Sequence, residues 1–373
     1  MEKLAPFFLQ TGSEPAITRA LKNIPRQLTL VILVAEGDNP DLAHINAIFH
    51  RSGFQYAGAL FPKVIYADSV HDSGMVIFPL AADSAPVIIN GLNNGQFNLH
   101  DLPDIESMKQ HTLYIMLDGL SQHIAGFLRA LYGRYGTDVV YLGGGAGSLS
   151  LKQAPCTFSN QGLAQDQAII ISYPKRMKLG VRHGWKRLMG PLIATEVENT
   201  IVKQINWQPA LDVYKDVVEQ ESGLSINKQN FFDIAKGYPF GLEKNGAEDV
   251  VRDPIMVTDD GALICVGEIT ENSIIHILKG DPDELINSAK AASKASTCQN
   301  SNPLEFALIV DCISRTLFLE ERFNEEIKCI NENFSQHGSN TVTVGALTLG
   351  EISSIGDGYL EFLNKTVVIG TLD

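Results

Sequence analysis

The 373-residue chain is long enough for two domains of ordinary size, and 45% hydrophobic with 19% charged residues describes a globular protein with a substantial core. Its formal net charge of −14 excludes non-specific nucleic-acid binding and disfavours anionic membrane surfaces, both of which need clustered Lys and Arg. No run nears the ~18 consecutive apolar residues of a membrane span, and Met1-Glu2-Lys3-Leu4 lacks a signal-peptide pattern, so a cytoplasmic location is expected.

In chain order, Leu28 to Ala35 is a continuous apolar run, read as a strand buried on both faces. Asn39 as N-cap and Pro40 at the first position then predict a helix whose apolar face carries Leu42, Ile45, Ile48 and Phe49, ending at Gly53. A second strand runs into Gly58 to Lys63, and Gly74 to Phe78 is a further strand. The same grammar returns at Leu113 to Gly119, with Ser121 capping a helix of Ile124, Phe127, Leu128 and Leu131. Val139-Val140-Tyr141-Leu142 then leads into Gly143-Gly144-Gly145-Ala146-Gly147-Ser148, and Gln167 to Ser172 closes the unit.

A different region follows. Leu179 to Trp185, Ile193 to Val197 and Thr200 to Ile205 read as strands, and Pro209 starts a helix with Ala210, Tyr214 and Val217 on one side. Asp260-Gly261 between β runs signals a hairpin. Ile274 to Leu278 is another strand, and Asp281-Pro282-Asp283-Glu284 opens a helix with Glu284 placed for a capping box. A third strand–helix–strand–strand unit begins at Phe306 to Cys312, continues in one long helix from about Arg315 with Leu319, Phe323, Ile327, Ile330 and Phe334 on one face, and ends with Val342 to Leu347, Gly350-Glu351-Ile352 and Thr366 to Ile369. The pattern reads as α/β to α+β, with mixed β-sheets flanked by helices and an internal duplication of that unit. Two closely packed domains, 1–206 and 207–373, are expected.

The glycine run, at four glycines in five positions, lets backbone N–H groups approach a neighbour closely. It is no Walker loop, since the chain has no Gly-Lys-Ser or Gly-Lys-Thr, and no dinucleotide fingerprint, since a short proline-stopped segment follows instead of a helix. Either a packed strand end or a small-ligand pocket lined by Gly143, Gly144, Gly145 and Gly147 remains. In Val181-Arg182-His183-Gly184-Trp185, His183 is a candidate metal or haem-iron ligand and Trp185 a pocket wall; a structural histidine is the alternative. Asp311-Cys312-Ile313-Ser314-Arg315 falls at the strand edge where α/β sheets bind ligands. There Arg315 could grip a carboxylate in two parallel bonds, and Glu351 could pair with Arg315 or with a cationic ligand group.

The five cysteines, Cys156, Cys265, Cys298, Cys312 and Cys329, form no C-x-x-C pair and imply neither disulfide framework nor zinc site. A hydrolase using Cys312 or Ser148 is the alternative from another class, although neither can be paired with a base in the sequence.

The ordered set Leu142 to Gly147, Gly180 to Trp185, Asn199 to Tyr214, Pro239-Phe240-Gly241, Arg252-Asp253-Pro254, Asp311 to Arg315 and Gly350-Glu351-Ile352 resembles the FIST proteins, with an N-terminal and a C-terminal FIST domain. The resemblance implies a non-enzymatic intracellular sensor that binds a small ligand, amino acids being proposed. It also implies signalling to a separate partner. Gly58-Ala59-Leu60-Phe61-Pro62 looks like a subgroup of haem-based nitric oxide sensors that regulate histidine kinases or cyclic-di-GMP enzymes. One departure is that FIST glycine runs usually continue into acidic residues, where this chain has Ser148-Leu149.

Overall fold

In this computed structural model, residues 5–244, 246–297, 304, 306–336, 341–355 and 359–372 are described. Cys298 and His337 lie outside them. The three apolar runs form seven-residue strands, Thr29–Ala35, Thr112–Asp118 and Phe306–Cys312, buried along their whole length. Each pairs in parallel with a second strand reached through an outer helix: Gln55–Phe61, Val140–Ala146 and Val342–Thr348. An antiparallel strand of the same unit lies on the first strand's other side: Met75–Leu80, Gln167–Tyr173 and Val367–Leu372.

The second strand's outer side is filled by a hairpin from a different unit. Lys63–Tyr66 leaves the first unit and pairs with Val342–Thr348 of the third. The third in turn sends Glu351–Ile355 to Val140–Ala146 of the second, and the second sends Thr157–Ser159 to Gln55–Phe61 of the first. The exchange is cyclic, and it gives three six-stranded sheets of identical order. Two of the three sheets therefore mix residues from before and after Trp207, while the first is built from residues before it alone.

Period-2 alternation distributes the side chains. Val31, Leu33, Tyr114, Met116, Leu308 and Val310 point into one interior shared by the three sheets. Leu30, Ile32 and Val34 face the helix Leu42–Ser52, and Leu113, Ile115 and Leu117 face the helix Ile124–Tyr135. Each fully buried large side chain contributes about 1.5–3 kcal/mol. A fourth, seven-stranded sheet runs from Lys186–Glu198 to Gln208–Pro209; its first strand also pairs with Ile201–Ile205, curling the sheet over a core with Tyr214, Phe231 and Phe240.

Local expectations shift in three places. The first helix starts at Leu42, not Pro40: Asp38 and Asn39 adopt positive φ (60° and 48°), and Asp41 caps His44 N at 2.9 Å. The second starts at Ile124 with His123 at the N-cap position, while Ser121 is buried near Gln153. The long helix from Arg315 is two helices, Ile313–Leu319 and Phe323–Gln336, broken by a 3₁₀ turn where Glu320 has φ 52°.

Candidate functional site

The end of strand Phe306–Cys312 is a buried crossroads of charge. Helix Ile313–Leu319 turns Arg315 inward, where it is fully buried. Its five N–H groups are all used. Nε and Nη2 donate to Glu326 (3.0 and 2.6 Å), Nη1 to the carbonyls of His183 (2.6 Å) and Lys365 (3.3 Å), and Nη2 also to Leu285 O (3.0 Å). Burial pulls the guanidinium down, but Glu326 and Asp311 outweigh it and hold Arg315 above the usual arginine range. Asp311 lies 3.4 Å from Arg315 Nε without a hydrogen bond to either carboxylate oxygen; burial and the nearby Glu326 push its carboxyl well up. The expected Arg315–Glu351 pair does not form. The carboxylate partner is Glu326, which the sequence marks only as one of several glutamates on the helix Phe323–Gln336.

Glu351 instead accepts from Thr348 Oγ1 (3.0 Å) and Thr366 N (3.2 Å), and burial raises its carboxyl to about 8. It is registered opposite Gly144, so the glycine run and Glu351 do meet. The run itself is not a loop. Gly143, Gly144 and Gly145 lie inside the strand Val140–Ala146, paired on both sides. A Cβ on Gly143 would collide with the Ile115 carbonyl, and one on Gly144 would sit 2.6 Å from Thr348 Cγ2. Gly145 N donates to Gly350 O and Gly147 N to Leu60 O, so these N–H groups serve neighbouring strands rather than an open space.

His183 and Trp185 sit beside Arg315. Trp185 N donates to His183 Nδ1 (2.9 Å), Trp185 Nε1 to Lys365 O (3.2 Å), and its ring carries Lys365 Nζ at 4.8 Å. Lys365, fully buried at φ 53°, reaches Asp253 Oδ2 (3.0 Å) and Lys236 O (2.9 Å). Burial lowers the affinity of His183 for a second proton. Because Nδ1 accepts a hydrogen bond, the neutral ring carries its proton on Nε2, which is buried without a hydrogen bond, 4.0 Å from Glu248 Oε2. A haem iron needs a lone pair there, so in this arrangement His183 does not fit an iron ligand. Among the described residues no group of three or more His, Cys, Asp or Glu side chains could hold a metal ion. Burial and Glu351 push the Cys312 thiol well above its ordinary range, and Ser148 Oγ bonds only to Ser150, donating to its Oγ and accepting from its N (both 3.1 Å), so among the described residues neither has an activating base.

An open site lies elsewhere. A cleft of about 400 Å³ runs between helix Ile124–Tyr135, the strand Tyr359–Leu363 and the fourth sheet. Leu128, Tyr132, Leu242 and Phe362 form apolar walls, with Arg129, Lys244, Arg252, Glu268 and Glu361 among them. In the sequence Arg252 enters through Arg252-Asp253-Pro254 of the FIST-like set, without a binding role; it sits inside Val250-Val251-Arg252-Asp253, an unusual place for arginine on a buried strand.

Interlocked mixed sheets, a sealed charged junction and a polar cleft lined from both halves define a protein of the mixed α/β class. Residues 29–208 match the FIST N domain and residues 210–354 the FIST C domain. The chain belongs to the FIST family, whose domains are sensory and bind small ligands. No curated protein matches it. Among the described residues, no helix is long and apolar enough to cross a membrane.

Proposed function

We propose that this protein is a non-enzymatic sensor that takes a small ligand into the cleft and passes the signal to a separate protein, such as a histidine kinase or a cyclic-di-GMP enzyme. One observation carries the reading. The cleft is walled by Leu128, Arg129 and Tyr132 from the FIST N segment and by Leu242, Lys244 and Arg252 from the FIST C segment. A ligand there has differential contacts with both halves, which a sensor needs to shift a conformational equilibrium.

A small-molecule thermal-shift screen on the full chain tests this. A binder at a hundred times its Kd stabilises by about 2.7 kcal/mol, and Ala125→Trp, which places an indole in the cleft, should abolish the shift. A screen in which every binder stabilises wild type and Ala125→Trp equally would remove the cleft as the sensory site. The haem reading is checked in the same preparation by its absorption spectrum with added haem. A Soret band shifted by nitric oxide and lost in His183→Ala would show that His183 gives up its bond from Trp185 to bind iron.

A further inference from the structure

The five charged residues lining the cleft do not balance: Arg129, Lys244 and Arg252 face Glu268 and Glu361, three cations against two carboxylates. Lys244 Nζ is 2.6 Å from Glu361 and Arg129 Nη1 is 3.5 Å from Glu268, so both carboxylates are already committed. Arg252 is the cation left over. It is 5% exposed, and its bonds go to backbone carbonyls: Nε to Glu268 O (2.8 Å), Nη1 to Val251 O (3.0 Å) and Phe362 O (3.1 Å). The nearest side-chain oxygen it meets is that of Asn364, 3.5 Å from Nη1. Among the described residues Nη2 makes no hydrogen bond and no carboxylate oxygen comes within salt-bridge distance of the guanidinium. Burial pulls Arg252 below the ordinary arginine range, outweighing the upward pull of the Glu361 and Glu268 charges, the opposite balance from Arg315.

A guanidinium held out of water with no carboxylate in direct contact is costly, and a carboxylate meeting its free edge gains a charge-assisted bond in a low-dielectric site. Apart from Thr270, the remaining surface is aromatic and aliphatic: Tyr132 and Tyr359 approach at 6.1 Å between ring centroids, and Leu128 and Phe362 lie deeper. From this we infer that Arg252 anchors the carboxylate of an aryl monocarboxylate, a monoanion without an ammonium group. A zwitterion would bring a cation to a cleft with no free carboxylate to receive it. This rests on the cleft being the sensory site, and it names the class of ligand and the residue that selects it.

The probe is phenylacetate, titrated calorimetrically into the full chain beside its methyl ester, phenylalanine and phenethylamine. Phenylacetate is expected to bind. The ester and phenylalanine should be weaker by about tenfold or more, the loss of one charge-assisted bond, and phenethylamine should not bind. Arg252→Lys should weaken phenylacetate by a similar factor while leaving any ester binding unchanged, and Ala125→Trp should abolish both. Because the ligand series varies the charge on the small molecule, a failure of Arg252→Lys to fold leaves the test intact. Phenylalanine binding as tightly as phenylacetate, in a manner blocked by Ala125→Trp, would overturn the charge selection and leave the cleft standing as a sensory site. Phenylacetate binding unaffected by Ala125→Trp, or no binding at all, would overturn the assignment to Arg252.

Discussion

Two buried arginines in this chain have opposite surroundings. Arg315 is sealed between two carboxylates and three backbone carbonyls, with every N–H used. Arg252 is bonded chiefly to backbone carbonyls and lines an open cleft. Both sit in short polar motifs that look alike as sequence, Asp-Cys-Ile-Ser-Arg and Arg-Asp-Pro. The difference separates two jobs. A buried cation whose partners are all internal ties elements together, here His183 of the N-terminal half to Leu285, Glu326 and Lys365 of the C-terminal half. One that lacks a counter-ion is poised for a ligand's charge.

Removing each side chain in turn, and measuring both stability and binding, separates the two roles. Arg315→Leu leaves Glu326 and Asp311 buried without their cation, and breaking such a pair costs about 3–5 kcal/mol. Urea unfolding at neutral pH should show that loss. Arg252→Leu removes bonds to neutral carbonyls only, at about 1–3 kcal/mol, and should abolish carboxylate binding. If Arg252→Leu proves the more destabilising, or a folded Arg315→Leu protein loses the ligand, the two roles are wrongly assigned.

A smaller effect probes the sealed interior. Gly143→Ala forces a methyl into the Ile115 carbonyl of the neighbouring parallel strand. Overpacking of this kind costs about 1–3 kcal/mol, more where backbone must move. Gly133→Ala, on the helix that walls the cleft, meets nothing within 4 Å and serves as the control. It should gain a few tenths to about 1 kcal/mol from helix propensity. Equal tolerance at both sites would mean that the glycine run is free to open after all.

Much of the scaffold was legible because a strand buried on both faces must be apolar at successive positions. Leu30 to Val34, Leu113 to Leu117 and Phe306 to Val310 announce themselves that way. The cyclic exchange of hairpins was not, since nothing within Lys63–Tyr66 states that its partner lies about 280 residues away along a chain this long. The site divides similarly. His183, Trp185 and Arg315 were singled out and do converge, because charged or aromatic residues at strand ends are conspicuous. That Arg315 was already neutralised depends on Glu326 lying across a broken helix, and that Arg252 was not depends on an absence around it. Charge balance between distant segments is a property of packing, and local pattern does not carry it.

The last contrast between the sealed and open regions is in their response to pH. Glu351 sits in the sealed part, its carboxyl raised by burial from the ordinary 4.5 to about 8. In the unfolded chain it has released its proton by pH 6, whereas the folded protein still holds it, so the native state binds the extra proton. Stability is therefore full below about pH 4.5, falls as pH rises toward 8, and levels above it, with a slope of at most about 1.4 kcal/mol per pH unit from this group. Glu351→Gln keeps an amide oxygen to accept from Thr366 N, lets its amide N–H donate to Thr348 Oγ1, whose own proton goes to the Asp311 carbonyl, and removes the titration. Urea unfolding of both proteins at pH 6 and pH 7 should give a stability difference that shifts toward the glutamine variant by about 1 kcal/mol. A difference independent of pH would mean that Glu351 is ionised in the folded state, and the junction would then need a cation to compensate it.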